Sequence, residues 1–91
     1  MVKVMVNGTF DIVHRGHLDL LNFAREQGDY LLVAIDTDRR VKELKGEQRP
    51  INNQKDRAYL LNSLKYVDEV LFFDSKEEHL LDTLLYTMLT I

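Results

Sequence analysis

The stretch Val2-Lys3-Val4-Met5-Val6-Asn7-Gly8-Thr9-Phe10-Asp11-Ile12-Val13-His14-Arg15-Gly16-His17 passes from a short β-type run, through a glycine turn, into the start of a helix. Val2 to Val6 reads as a first strand, and Gly8 permits the tight turn that follows. From about Gly16, Leu18, Leu21 and Phe23-Ala24 recur at three- and four-residue spacing, the stripe of a helix with one buried face. Gly28 ends that helix. Tyr30-Leu31-Leu32-Val33-Ala34-Ile35 is continuously apolar, as a strand covered on both faces must be, so it reads as a central second strand.

The same alternation continues downstream. Asp36-Thr37-Asp38 can cap a short helix from Arg39 to Leu44, stopped by Gly46 and followed by a loop with Pro50, the single proline. Asn52 or Asn53 caps a helix through Leu60, Leu61 and Leu64, and Val70-Leu71-Phe72-Phe73 reads as a third strand. Asp74-Ser75 opens a last helix carrying Leu80, Leu81, Leu84, Leu85 and Met88. Three switches from β-type to helical spacing imply an α/β domain of three βα units on a parallel sheet. Right-handed crossovers give the strand order 3-2-1, half of a doubly wound sheet.

Composition narrows the setting. The 91 residues are 45% hydrophobic and 30% charged, the balance of a globular domain, and no linker divides them, so residues 1–91 read as a single domain. No apolar run approaches the roughly 20 residues that cross a bilayer. The absence of cysteine excludes disulfides, thiolate zinc sites and cysteine nucleophiles, and makes a reducing cytoplasm the expected location. A net charge of −3 gives no general attraction to nucleic acid or anionic membrane. Seven of the twelve basic residues nevertheless fall between Arg39 and Arg57, which is either a solvated loop or an anion site.

The chemistry concentrates in Asn7 to His17. At the carboxyl end of a parallel strand, unpaired helix amides and the helix dipole attract phosphate. His14 and His17, three apart at a helix start, can share one face toward an anion, and Gly16 between them admits phosphate or backbone closely. A zinc site would need further ligands, for which Asp11 or Asp19 are the nearby acids. Two structural histidines capping or packing the helix are a second alternative. A phosphate-loop NTPase is excluded because Gly-x-x-x-x-Gly-Lys-Ser/Thr is absent. A dinucleotide site lacks Gly-x-Gly-x-x-Gly, although Asp36 stands where a ribose-binding acid would.

Gly8-Thr9-Phe10-Asp11 followed by His14-Arg15-Gly16-His17 resembles the signature of the cytidylyltransferase-like nucleotidyltransferase superfamily, with its His-x-Gly-His motif. Gly28 to Ala34, Asp36-x-Asp38, Arg57, and Tyr66-Val67-Asp68-Glu69-Val70 resemble its later segments, so the likeness covers residues 2 to about 85. Leu44-Lys45-Gly46-Glu47-Gln48-Arg49-Pro50 is most similar to the heptose-phosphate adenylyltransferase branch, with the glycerol-3-phosphate cytidylyltransferases next. The resemblance implies a Rossmann-like fold and transfer of a nucleoside monophosphate from CTP or ATP to a sugar phosphate or polyol phosphate, releasing pyrophosphate.

It further implies site roles. His14, His17 and Lys45 are the expected catalytic residues, and Gly8, Thr9, Phe10, Asp11, Gly16, Lys42 and Arg57 the expected nucleotide- or phosphate-binding ones. Magnesium is expected on the β- and γ-phosphates, held mostly by water and phosphate oxygens. Against the family pattern, no fourth strand or late Ser/Thr-rich motif is recognisable, so an incomplete nucleotidyltransferase fold is expected. The alternative function is a phosphate-binding module without turnover. The first strand would then be an exposed edge, and self-association through it or through Leu80 to Ile91 is expected, giving a homo-oligomer.

Overall fold

The computed structural model describes residues 2–74 and 87–90. Strands β1 (Lys3–Gly8), β2 (Tyr30–Asp36) and β3 (Glu69–Phe73) alternate with helices α1 (Arg15–Glu26), α2 (Asp38–Lys45) and α3 (Gln54–Asn62), and β4 (Thr87–Thr90) comes last. All pairings are parallel: Val4 lies against Leu31, Val33 against Val70, and Met5 against Met88. The α/β class and the order 3-2-1 are as the periodicity predicts.

The fourth strand is not. Thr87 to Thr90 lie beside β1, making the sheet order β3-β2-β1-β4. Met88, read as helical, therefore stands in a strand, and β1 is an interior strand rather than an exposed edge. Leu80, Leu81, Leu84 and Leu85 lie outside the described residues. Because β2 and β3 step away from β1 on one side and β4 joins on the other, the order reverses between β1 and β4. In open parallel sheets that reversal opens the crevice where ligands bind, beyond the carboxyl ends of the strands.

Both sheet faces are apolar, as the unbroken β2 run requires. Val4, Val6, Leu31, Val33 and Ile35 pack with Leu21 and Ala24 of α1 and Leu61 of α3. Met5, Leu32 and Ala34, with Leu71 against them, form a smaller cluster. Leu21 and Leu61 are fully buried, each worth about 1.5–3 kcal/mol. Phe23 and Leu60, expected in the helical stripes, are instead exposed at 53% and 44%. Each helix needs a single narrow row to reach the sheet, and their neighbours Ala24 and Leu61 already occupy it.

Gly28 directly follows the C-cap Gln27 of α1 but does not take the positive φ of a glycine cap, so packing is what fixes it. A Cβ at Gly28 would sit 2.6 Å from the carbonyl oxygen of Val2, so the chain can pass this close to β1 solely with glycine. Among the described residues no helix is long and apolar enough to cross a membrane.

Candidate active site

A cavity of about 520 Å³ opens where β1 ends, within the usual range for a small-molecule site. One wall comes from the β1–α1 connection, Asn7 to Ile12 with His14 and His17. The other comes from Asp36 at the end of β2, Arg40, Leu44 and Lys45 of α2, and Arg49 beyond it.

The two histidines build their own support. His14 is the N-cap of α1, and its Nδ1 accepts the amide N–H of Gly16 at 3.0 Å. His17 returns the favour, its Nδ1 accepting the His14 amide N–H at 3.1 Å. A ring nitrogen that accepts cannot carry the proton, so both rings hold it on Nε2 and present an N–H donor at the far corner. The ring centroids lie 4.0 Å apart. Burial first, and then the charge of His14, push the His17 pKa below its ordinary 6.5, which keeps that ring neutral near pH 7.

This geometry changes the reading of Gly16. A Cβ there would lie 2.8 Å from Cε1 of His14. The position needs glycine to admit the capping imidazole, before any phosphate is considered. Phe10 carries the local strain, with φ of 51° in the left-handed region. For a bulky residue that costs roughly 1–2 kcal/mol. Its ring is 4% exposed in the main core and 5.2 Å from the His17 ring, so burial offsets the backbone cost and braces the histidine.

The acids of the cavity are committed to the protein. Asp36 accepts from Thr9 Oγ1 and Arg40 Nε, both at 3.1 Å, which engages each carboxylate oxygen once and spends the hydroxyl proton of Thr9. Asp11 accepts the backbone N–H groups of Ile51 and Asn52, each at 2.8 Å, and Arg49 Nη1 at 3.4 Å. Burial works to raise the Asp11 pKa, but the Asn52 and Ile51 amides and Arg49 outweigh it, and the carboxyl stays below its ordinary 3.8. Asp11 is thus the clamp that fastens the α2–α3 connection to the motif.

The expected basic residues divide. Lys45 lines the cavity, exposed, and makes no ion pair among the described residues. Lys42 is exposed in the same helix and does not line it. Arg57, expected to touch phosphate, is 1% exposed and also does not line it. Its guanidinium donates Nε to Asn52 O at 3.0 Å, Nη1 to Thr9 O at 2.9 Å and Nη2 to Asp38 Oδ1 at 2.8 Å. With each nitrogen engaged, it is a strut joining three segments.

Arg40 and Arg49 line the cavity without having been singled out from the sequence. Arg49 stood in the Leu-Lys-Gly-x-x-Arg-Pro segment, and that signal could have nominated it. Among the described residues no group of three or more His, Cys, Asp or Glu could hold a metal ion.

The cytidylyltransferase-like family profile matches residues 5–83. The chain is similar to the bifunctional protein HldE of Aliarcobacter butzleri, 53% identical over 73 residues that make up 80% of this chain and 15% of that protein. It is likewise 55% identical to HldE of a Nitratiruptor species over 71 residues, 78% of this chain and 15% of the relative. The chain therefore spans about 15% of the length of these curated relatives. Among solved structures, a lipopolysaccharide core biosynthesis protein from Thermoplasma volcanium superposes with a TM-score of 0.75 at 32% identity, over 92% of this chain and 66% of that one.

Proposed function

The chain belongs to the cytidylyltransferase-like family, and from that premise we propose that its cavity binds a nucleoside triphosphate and serves nucleotidyl transfer to a sugar phosphate or polyol phosphate. The observation that carries this reading is the pair of Nε2–H donors of His14 and His17, locked by backbone bonds at the start of α1, in one cavity with Lys45, which makes no ion pair among the described residues. The Leu44-to-Pro50 segment, which resembles that of the heptose-phosphate adenylyltransferase branch, favours ATP over CTP and a sugar phosphate over a polyol phosphate.

A phosphate monoester has its second pKa near ~6, so its attacking oxygen is largely anionic at pH 7 and needs no strong base. The barrier is then lowered by alignment and by neutralising charge on the transferring and leaving phosphates. His14 and His17 supply fixed donors that need not reorganise as charge builds, and Lys45 supplies a full positive charge. Asp11 and Arg57 act one step back, holding the α2–α3 connection against the motif. Magnesium fits as a passenger on the triphosphate, since Asp11 and Asp36 are both occupied by protein donors. When bound it would neutralise the β- and γ-phosphates.

Calorimetric titration with ATP and CTP tests the site. His17→Ala should weaken triphosphate binding by about tenfold, the cost of one donor to a charged group. Lys65→Ala, exposed and outside the cavity, should not. Equal affinities in the two variants would sink the assignment. A pyrophosphate-release assay beside it separates an enzyme from a binding module, since the module would bind nucleotide and release nothing.

A further inference from the structure

Two arginines of the basic run, Arg40 and Arg49, line the cavity, a third, Arg57, bonds to the carbonyl of the lining residue Thr9, and their environments differ. Arg57 is sealed in the fold. Arg40, its side chain 16% exposed, is held by Asp36 and by the carbonyl of Asp74. Arg49 is 45% exposed at its side chain and lines the cavity.

The bond from Arg49 to Asp11 is weak on both sides. At 3.4 Å through one nitrogen it lies well beyond the roughly 2.7–2.9 Å of a charge-assisted bond, and among the described residues it leaves most of the guanidinium fork uncommitted. Asp11 does not depend on it, because the two 2.8 Å amide bonds already satisfy the carboxylate. Removing Arg49 from Asp11 would leave a largely buried carboxylate, its side chain 9% exposed, that still accepts two amide hydrogen bonds.

The backbone beneath Arg49 is, by contrast, pinned on both sides. Its own N–H donates to Gly46 O at 3.1 Å. Just beyond it Asp11 holds Ile51 and Asn52, Asn52 Nδ2 donates to Asp11 O at 2.7 Å, and Arg57 grips Asn52 O. A half-exposed guanidinium on a fixed backbone, with an exchangeable partner, is a group presented for a ligand. Binding would cost side-chain ordering alone, with no loop to fold.

We propose that Arg49 selects the acceptor by its phosphate monoester, exchanging the single long bond to Asp11 for a bidentate grip on that phosphate. This rests on the nucleotidyl-transfer reading. In-line transfer places the attacking oxygen and the leaving pyrophosphate on opposite sides of one phosphorus, so the cavity needs two anion sites. The histidines and Arg49 come from different connections of the chain and line the same cavity, which meets that need. A planar fork matches the geometry of a terminal phosphate in a way that an ammonium does not.

The test uses the full chain and its Arg49→Gln, Arg49→Lys and His17→Ala variants. Binding of α-D-mannose 1-phosphate, inorganic phosphate and ATP is measured by calorimetry, the first two with and without a saturating non-hydrolysable ATP analogue. Arg49→Gln should lose about tenfold or more in mannose 1-phosphate affinity, while ATP affinity changes by less than about twofold. Arg49→Lys should recover part of the loss, and His17→Ala should show the reverse pattern. Equal losses for ATP and mannose 1-phosphate in Arg49→Gln would assign Arg49 to the triphosphate and overturn the proposal. So would unchanged mannose 1-phosphate binding, or none by the native chain in either condition. Loss of ATP binding by the native chain, with Arg49-dependent monoester binding intact, would instead count against the nucleotidyl-transfer reading.

Discussion

The β1–α1 connection and the α2–α3 connection both reach the cavity, but they hold their functional groups by opposite means. In the first, the side chains are themselves the fastening: the His14 and His17 rings cap backbone amides and are thereby aimed. In the second, the backbone is fastened by side chains from elsewhere, Asp11 and Arg57, and the side chain of Arg49 is left to move. A fixed donor suits charge that appears at one place in a transition state. A mobile one suits an acceptor that must arrive and leave.

The largest expected effect comes from cutting the strut under the second connection. Arg57→Ala removes a fully buried guanidinium and leaves the carbonyls of Thr9 and Asn52 and the carboxylate of Asp38 without their donor. The Asp38 carboxylate, 34% exposed, can rehydrate, but stranding a part-buried carbonyl costs about 1–3 kcal/mol, a large share of the ~5–15 kcal/mol that holds a domain together. Arg57→Lys should not restore it, because one ammonium cannot reach three diverging acceptors. Urea unfolding followed by circular dichroism measures both variants. A loss under about 1 kcal/mol in Arg57→Ala would remove the support on which the contrast between the connections rests.

That prediction also marks the limit of what the sequence made visible. The continuous run of Tyr30 to Ile35 announced a strand buried on both faces, and the histidine motif announced its own place at the end of β1, because periodicity and glycine placement are local properties. Arg57 and Arg49 are chemically alike and eight positions apart in one basic run. Their separation into strut and presented group depends on Asp38, Thr9 and Asp11, which tertiary folding alone brings near. The strand at Thr87 to Thr90 was missed for a related reason: a short apolar segment after a run of leucines carries no period that tells helix from strand. Phe23 and Leu60 show the converse, satisfying the helical stripe while lying outside the row that reaches the sheet.

A middle-sized effect sharpens the first connection. Gly16→Ala places a methyl 2.8 Å from Cε1 of His14, so the ring must leave and its cap on the Gly16 amide is lost. Losing an N-cap costs about 1 kcal/mol, whereas replacing glycine by alanine within a helix returns about 0.5–1 kcal/mol. The two nearly cancel, so the unfolding free energy should barely move. Triphosphate affinity should nevertheless fall by about tenfold, since His14 is no longer aimed. Calorimetry beside urea unfolding reads both. A stability loss with affinity intact would mean that the cap serves the helix rather than the site.

The smallest effect is in pH dependence, and it separates a histidine used as a fastening from one merely near the site. Burial and the neighbouring charge of His14 hold the folded pKa of His17 below the 6.5 of the unfolded chain. Between those two values the unfolded state binds more protons, so stability is fully present above about pH 6.5 and declines as pH falls below it toward the folded pKa. The structural reason is visible in the cap. Imidazolium has donors at both nitrogens, so a protonated His17 can no longer accept the His14 amide. Asp11 adds a later loss of the same sign: its folded pKa lies below 3.8, so its contribution is present above that value and disappears as pH falls through the folded pKa. His17→Asn isolates the first step, because the amide oxygen can accept from His14 N–H but does not titrate. Thermal melts of the native chain and this variant, taken between about pH 7.5 and 5.5, should diverge below about pH 6.5, with the native chain losing melting temperature faster. Curves that stay parallel across that window would show that the His17 ring is not what fastens the start of α1.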